Sequence, residues 1–294
     1  MYIPEFTYHK PASVRDACRI LAERADAAPL AGGTDLLVEM KQGARRHSDL
    51  VSLRDIATLR DIALTPEAIR IGAGVTHNQV RDSAAVREAF PAIAMAAATI
   101  GTDQIRNVAT LGGNLCTAAS CADMAPILLA LDAEVEIAGL DATRRMPIRE
   151  LFIAHRSTRL GRAEIMTHVV VRRGRAPVAS WYEKFGLREA ASISVASVAV
   201  ALTLDGDRCA TACVVIGAAA PTPKISDGAS AVLAGQPLAA MTAGSQLLAR
   251  AGAAAAADAV PIDDIRGTAE YRRSLVRVLV ERAVIRALEA RSGR

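Results

Sequence analysis

Two glycine pairs constrain this chain more than any other feature. They are Ala31-Gly32-Gly33-Thr34-Asp35-Leu36 and Thr110-Leu111-Gly112-Gly113-Asn114, about eighty residues apart. Adjacent glycines admit positive φ and let a backbone come close to another group. Successive N–H groups in such turns form an anion-binding concavity suited to a diphosphate. A single loop of this kind is a weak signal, better explained by a plain turn. Two of them, each with hydroxyl or amide side chains, match the two phosphates of a dinucleotide. If the Gly113 N–H approaches a phosphate, a branched side chain there clashes with the ligand, and a positive φ, if Gly113 has one, adds strain. Neither loop is the standard dinucleotide fingerprint, and the Gly-rich lysine loop of nucleoside triphosphatases is missing. A dinucleotide bound here therefore sits on a different fold.

The patterning around the loops is mixed α and β. Ser13-Val14-Arg15-Asp16 reads as a helix start, with Val14, Ala17, Cys18 and Leu21 on one face behind it. Residues 29–31 form a short strand into the first glycine loop, a helix comes next over 36–41, and 49–53 is a second strand. Residues 68–75 alternate as a strand, and Thr76 caps the helix after it. Residues 91–100 are Ala-rich and helical. Residues 107–114 read as a loop. Asp123 then stands at the N-cap of a helix through Leu131, with Pro126 in its first turn. Strands are expected over 134–138 and 166–171. Residues 172–177, basic and carrying Gly174 and Pro177, read as a linker. Beyond them, 194–204 and 209–216 flank Asp205-Gly206-Asp207 as a hairpin. Three helices close the chain. The last, 269–291, sets Leu275, Val278, Leu279, Ile285 and Leu288 on one face and arginines on the other.

Composition removes several classes of function. Aromatic residues make up 3% of the 294, which leaves few platforms for stacking nucleic-acid bases. A net charge of +4 gives no argument for a nucleic-acid or membrane partner. No apolar run reaches the roughly 18–20 residues that cross a bilayer. The opening Met1-Tyr2-Ile3-Pro4-Glu5-Phe6 lacks the basic and apolar parts of a signal peptide, so a cytoplasmic location is expected. Five cysteines, an odd number in a long chain, fit reduced thiols better than a disulfide framework.

Several stretches together resemble a known family: the medium, flavin-binding subunit of molybdenum hydroxylases of the xanthine dehydrogenase and carbon monoxide dehydrogenase type. They are Tyr8-His9-Lys10-Pro11, the first glycine loop, Ile71-Gly72-Ala73-Gly74-Val75-Thr76, and Ile105-Arg106-Asn107-Val108-Ala109 running into the second loop. Ala122-Asp123, Glu183-Lys184-Phe185-Gly186-Leu187-Arg188, residues 217–223, Pro261-Ile262-Asp263-Asp264-Ile265-Arg266-Gly267 and Tyr271-Arg272-Arg273 complete the match. The resemblance spans nearly the whole chain.

It implies an α+β protein. A two-subdomain FAD-binding fold of the vanillyl-alcohol oxidase type would cover 1–175, divided near residue 55. A small α+β flavoprotein domain would cover 178–291. The resemblance assigns Ala31, Gly32, Gly33, Thr34, Asp35 and Leu36, with Thr110, Leu111, Gly112, Gly113 and Asn114, to the pyrophosphate of a non-covalent FAD. Asp123 matches an acid that contacts the sugar-like chain of the flavin, Lys184 a lysine near its ring, and Ile100 an apolar residue against the cofactor. Each has a plainer reading: helix cap, surface lysine and core. Molybdopterin would lie on a large partner subunit and 2Fe–2S clusters on a small one, in a dimer of heterotrimers. Electrons would pass from those clusters through FAD to an external acceptor.

The remaining reactive residues add no further chemistry. In a related subgroup a cysteine in the place of Cys116 helps hold a 4Fe–4S cluster, but here only Cys121 is nearby, and a cluster needs four ligands. Cys18, Cys209 and Cys213 read as core. His9, His47, His77, His155 and His168 show no metal-ligand spacing. No nucleophile–base pair or paired carboxylate stands out. That suits an electron carrier, where the cofactor does the chemistry and the protein binds and orients it. The alternatives are a self-contained flavin oxidoreductase of the same fold, which needs a substrate pocket, and a flavin-free assembly subunit, which needs no glycine loops.

Overall fold

A computed structural model describes residues 3–174 and 176–291. Arg175, inside the expected linker, and the opening Met1 and Tyr2 lie outside the described residues. Helices and strands alternate through three successive segments, each built on its own sheet.

The first segment runs β1 (Thr7–His9), α1 (Val14–Glu23), β2 (Ala27–Leu30), α2 (Leu36–Lys41) and β3 (Asp49–Ser52). β3 lies between β1 and β2 and pairs with both in parallel, so it is buried along its length. The Ser13 hydroxyl accepts the Asp16 N–H at 3.1 Å, which starts α1 where the sequence requires it. Ala17, Cys18 and Leu21 then meet Val51 and Ile56 in a small core.

The middle segment comprises β4 (Ile62–Leu64), β5 (Ala68–Gly72), α3 (His77–Asp82), α4 (Ala84–Ala89), α5 (Pro91–Ala98), α6 (Asp103–Arg106), α7 (Leu111–Thr117), α8 (Met124–Ala130), β6 (Glu134–Ala138), β7 (Thr143–Pro147), β8 (Phe152–Ala154), β9 (Ser157–Thr158) and β10 (Ile165–Arg172). Its antiparallel sheet has the order β4-β5-β10-β6-β7. The helices between β5 and β6 cover it. α5 is buried almost all round, and its alanines let neighbouring backbones come near. One sequence expectation fails here. Residues 111–114 are not loop but the first turn of α7, because the Thr110 hydroxyl accepts the Gly113 N–H at 3.0 Å and caps a helix.

The last segment holds β11 (Val178–Gly186), β12 (Ser194–Asp205), β13 (Arg208–Gly217), β14 (Lys224–Ile225), α9 (Asp227–Leu233), α10 (Gln246–Asp258) and α11 (Ala269–Arg291). β12 lies second in the sheet and shows no polar alternation, since both its faces are covered. Val198, Val200 and Leu202 pack toward α10 and α11, whereas Ala199 and Ala201 join the core of the middle segment. The hairpin turn falls at Gly206, at φ +57°. The buried face of α11 is rotated from the expected one: Val276, Leu279, Val280, Ala283, Val284 and Ala287 are buried, and Val278 is exposed. Arg272 lies on that same buried face: at the start of the helix it donates to the Val195 and Ala218 carbonyls and to Asp264. No described helix is long and apolar enough to cross a membrane.

Candidate functional site

The two glycine loops meet. A Cβ on Gly32 would stand 2.1 Å from the Val108 carbonyl oxygen and 2.9 Å from the Ala109 Cα. Only a glycine lets the first loop lie flat on the chain entering the second. Gly33 serves a different need, with φ at +73°. In the second loop, a Cβ on Gly112 would come within 2.6 Å of the Ala73 Cβ, so Gly112 seats α7 against the end of β5. Gly113 does not meet the positive-φ condition. Its N–H is held by Thr110, and it faces the space between the loops.

That space is a cavity of about 640 Å³, within the range of roughly 300–1,000 Å³ usual for small-molecule and cofactor sites. Of the residues assigned from sequence, Ala31, Gly32, Gly33, Thr34, Asp35, Leu36, Ile100, Thr110, Gly112, Gly113, Asn114 and Asp123 line it. Leu111 does not. It is fully buried in the middle core, where it anchors α7 from behind. Lys184 also lies off the cavity wall.

The two loops offer different donors. Among the described residues, no acceptor takes the N–H groups of Gly32, Gly33, Thr34, Asp35 or Leu36. These successive unengaged N–H groups, around a Gly33 at φ +73°, are donors that an anion can use. In the second loop the backbone is already engaged. Leu111 and Gly112 donate to the Val75 and Ala73 carbonyls at 2.9 and 2.8 Å, and Asn114 donates to Thr110. What remains there is side-chain chemistry: the Thr110 hydroxyl proton and the Asn114 amide, whose oxygen accepts from the Met124 N–H at 3.4 Å. A Cβ at Gly113 would meet nothing nearer than Thr110 Oγ1 at 3.0 Å. A phosphate-sized group therefore has room against α7. Free backbone donors, hydroxyl, amide and an open glycine face together fit a dinucleotide diphosphate.

Comparison with known proteins agrees. Residues 4–172 match the family model described as the FAD binding domain in molybdopterin dehydrogenase, and residues 181–287 match the CO dehydrogenase flavoprotein C-terminal domain. The chain belongs to the molybdopterin dehydrogenase FAD-binding family. It is 33% identical to the carbon monoxide dehydrogenase medium chain of Afipia carboxidovorans, over 96% of each chain. It is 30% identical to the xanthine dehydrogenase FAD-binding subunit of Escherichia coli, over 98% of each. A structure of carbon monoxide dehydrogenase from Hydrogenophaga pseudoflava superposes with a TM-score of 0.93 at 29% identity, covering 98% of this chain and 99% of that one. The protein is thus a flavin-binding medium subunit of the molybdenum hydroxylase class, an oxidoreductase component with the two-part fold expected from sequence.

In this family member Asp123 joins the cavity to the C-terminal sheet. It stands at the N-cap of α8, yet its side chain caps nothing. One carboxylate oxygen accepts from the Tyr182 hydroxyl at 2.6 Å and from Ser194 at 2.5 Å; the other pairs with the Lys184 ammonium at 2.8 Å. Lys184 donates in addition to the Thr99 carbonyl at 2.9 Å, one residue before Ile100. Burial and the Asp123 charge raise the Tyr182 phenol well above its ordinary pKa, so it stays a donor. Neither the cap nor the surface-lysine reading describes this pair.

His77 is a cavity-edge residue that the sequence reading does not single out. It opens α3 and lies at the cavity edge, fully buried, and neither ring nitrogen has a hydrogen-bond partner. Its place directly after Thr76 and the matched stretch 71–76 is the one signal for it, and metal-ligand spacing does not detect that signal. Among the described residues no group of three or more His, Cys, Asp or Glu side chains is arranged to hold a metal. All five cysteines are free thiols.

Proposed function

We propose that this chain binds one non-covalent FAD in the cavity between its glycine loops and relays electrons within a larger complex. The observation that carries the reading is the run of free N–H groups from Gly32 to Leu36, facing Thr110, Gly113 and Asn114 across the cavity. The first loop would hold one phosphate through backbone donors. The second would hold the other through hydroxyl and amide. Ile100 would lie against the apolar part of the cofactor. Asp123 would meet its polyol chain, with Lys184 steadying that carboxylate from behind. When bound, FAD supplies the redox chemistry, taking electrons from the 2Fe–2S clusters of a small partner subunit and passing them to an external acceptor. The organic substrate would react on a molybdopterin-binding large subunit, in a dimer of heterotrimers. The same reading assigns 1–175 to flavin binding and 178–291 to the flavoprotein C-terminal domain. Free thiols at all five cysteines suit a reducing, cytoplasmic compartment.

The purified chain, titrated with FAD as apoprotein, is expected to saturate at one FAD per chain. Acid precipitation should then release all the yellow chromophore. FMN, which lacks the second phosphate, should bind at least about ten-fold more weakly if one charge-assisted hydrogen bond is lost. Flavin that stays with the polypeptide would exclude non-covalent binding. Equal affinity for FMN would remove the two-phosphate cradle, and no binding at all would remove the reading.

A further inference from the structure

Each glycine loop opens a short helix, α2 after the first and α7 after the second, and one residue joins the far ends of both. Arg156 lies at the turn between β8 and β9, with φ at +58°. Its N–H donates at 2.8 Å to the carbonyl of Ala118, the C-cap of α7. Its guanidinium pairs with the Glu39 carboxylate on α2. Arg156 and Glu39 both line the cavity, so the pair ties one wall to the other. Arg45 holds the second Glu39 oxygen at 2.9 Å, and the Glu39 side chain is only 14% exposed. Further along the same stretch, Arg162 fastens it to the first segment again. Its guanidinium donates to the Leu21, Ala22 and Ala25 carbonyls at the end of α1, at 3.2, 2.8 and 3.3 Å. Thr158, Leu160 and Gly161 line the cavity between the two fastenings. A carboxylate on the wall of an anion site repels the ligand. Glu39 is therefore out of place there unless it serves the protein and not the ligand.

We propose that Arg156 and Glu39 are positioning residues for the cofactor, their ion pair setting the spacing between the two glycine loops. The inference rests on the flavin reading above. Glu39→Gln separates it from plain electrostatics, because the two predict opposite signs. If Glu39 acted only through its charge on the diphosphate, removing that charge would tighten FAD binding. With the pair as a tie, the same change should weaken binding about five-fold, the equivalent of one lost ion pair, and mostly through faster release. Arg156→Gln should act to the same extent. The double variant should lose no more than either single one, since each change alone already breaks the tie. Arg156→Lys, which keeps the charge at the same left-handed backbone position, should recover part of the affinity. Titration of apoprotein and stopped-flow displacement of FAD read these effects, with circular dichroism checking the fold. Should Glu39→Gln fail to fold, Glu39→Asp takes its place: it keeps the charge but draws it back by one methylene, and should also weaken binding. Unchanged or tighter FAD binding in the folded Glu39 variant, or additive losses in the double variant, would overturn the inference and leave the flavin reading standing. Failure of wild type to bind FAD would remove both.

Discussion

Gly32→Ala is expected to weaken FAD binding at least about a hundred-fold and to destabilise the apoprotein by about 1–3 kcal/mol. The added methyl would fall 2.1 Å from the Val108 carbonyl oxygen and 2.8 Å from its carbon, where backbone rather than a flexible side chain stands in the way. Overpacking of this kind forces the chain apart, and the stability loss is of the size usual for it. Separation of the loops would move the free N–H groups of Gly33, Thr34 and Asp35 away from Thr110 and Asn114. Loss of two charge-assisted hydrogen bonds accounts for the affinity change. Gly113→Ala is the contrast. Its methyl points into the cavity, meets only Thr110 Oγ1 at 3.0 Å and Ala31 Cβ at 3.9 Å, and occupies a helical position. That variant should keep wild-type stability within about 0.5 kcal/mol and still lose FAD affinity. Flavin titration with parallel denaturant unfolding reads both. A Gly32→Ala chain with wild-type FAD affinity would show that the apposed loops do not build the site.

The two glycine loops are legible in the sequence because glycine is needed there for reasons that act locally, and the same pairs that mark the turns also line the cavity. Their division of labour is not legible. Gly32 and Gly112 are required by close approach to Val108 and Ala73, residues far away or in another element, and periodicity carries no trace of such contacts. The first turn of α7 reads as a loop because two glycines mask a helix start. The Thr110 hydroxyl supplies the cap that composition alone undervalues. The rotated face of α11 has a similar origin. Its buried side includes Arg272, whose partners Val195, Ala218 and Asp264 come from three other stretches of chain. β12 reads correctly as a strand, but its all-apolar sequence cannot say that α8 and the middle core cover the face opposite α10 and α11. His77 escapes notice because a lone histidine between ordinary helix signals stands out only when its surroundings offer it no partner.

Asp123→Ala is expected to cost about 3–5 kcal/mol of stability, the range for stripping one partner from a buried ion pair. The carboxylate and the Lys184 ammonium are only 8% and 10% exposed, so neither gains much from water. Without Asp123, Lys184 keeps the Thr99 carbonyl alone, and the Tyr182 and Ser194 hydroxyls lose their acceptor. Lys184→Met should cost less, because Asp123 retains both hydroxyl donors. The pair Asp123→Leu with Lys184→Met replaces the buried charges by apolar groups of similar size. It should recover part of the loss, so that the two changes together cost less than their sum by about 1–3 kcal/mol. Denaturant unfolding of the wild type, Asp123→Leu, Lys184→Met and the double variant measures that coupling. FAD titration of the double variant then separates structure from cofactor contact. Asp123 lines the cavity and Lys184 does not, so a double variant that regains stability should still bind FAD weakly if the carboxylate meets the cofactor directly. Restored affinity along with restored stability would mean that Asp123 serves only to join the cavity wall to the C-terminal sheet. Strict additivity of the two single changes would mean that the 2.8 Å pair holds nothing together.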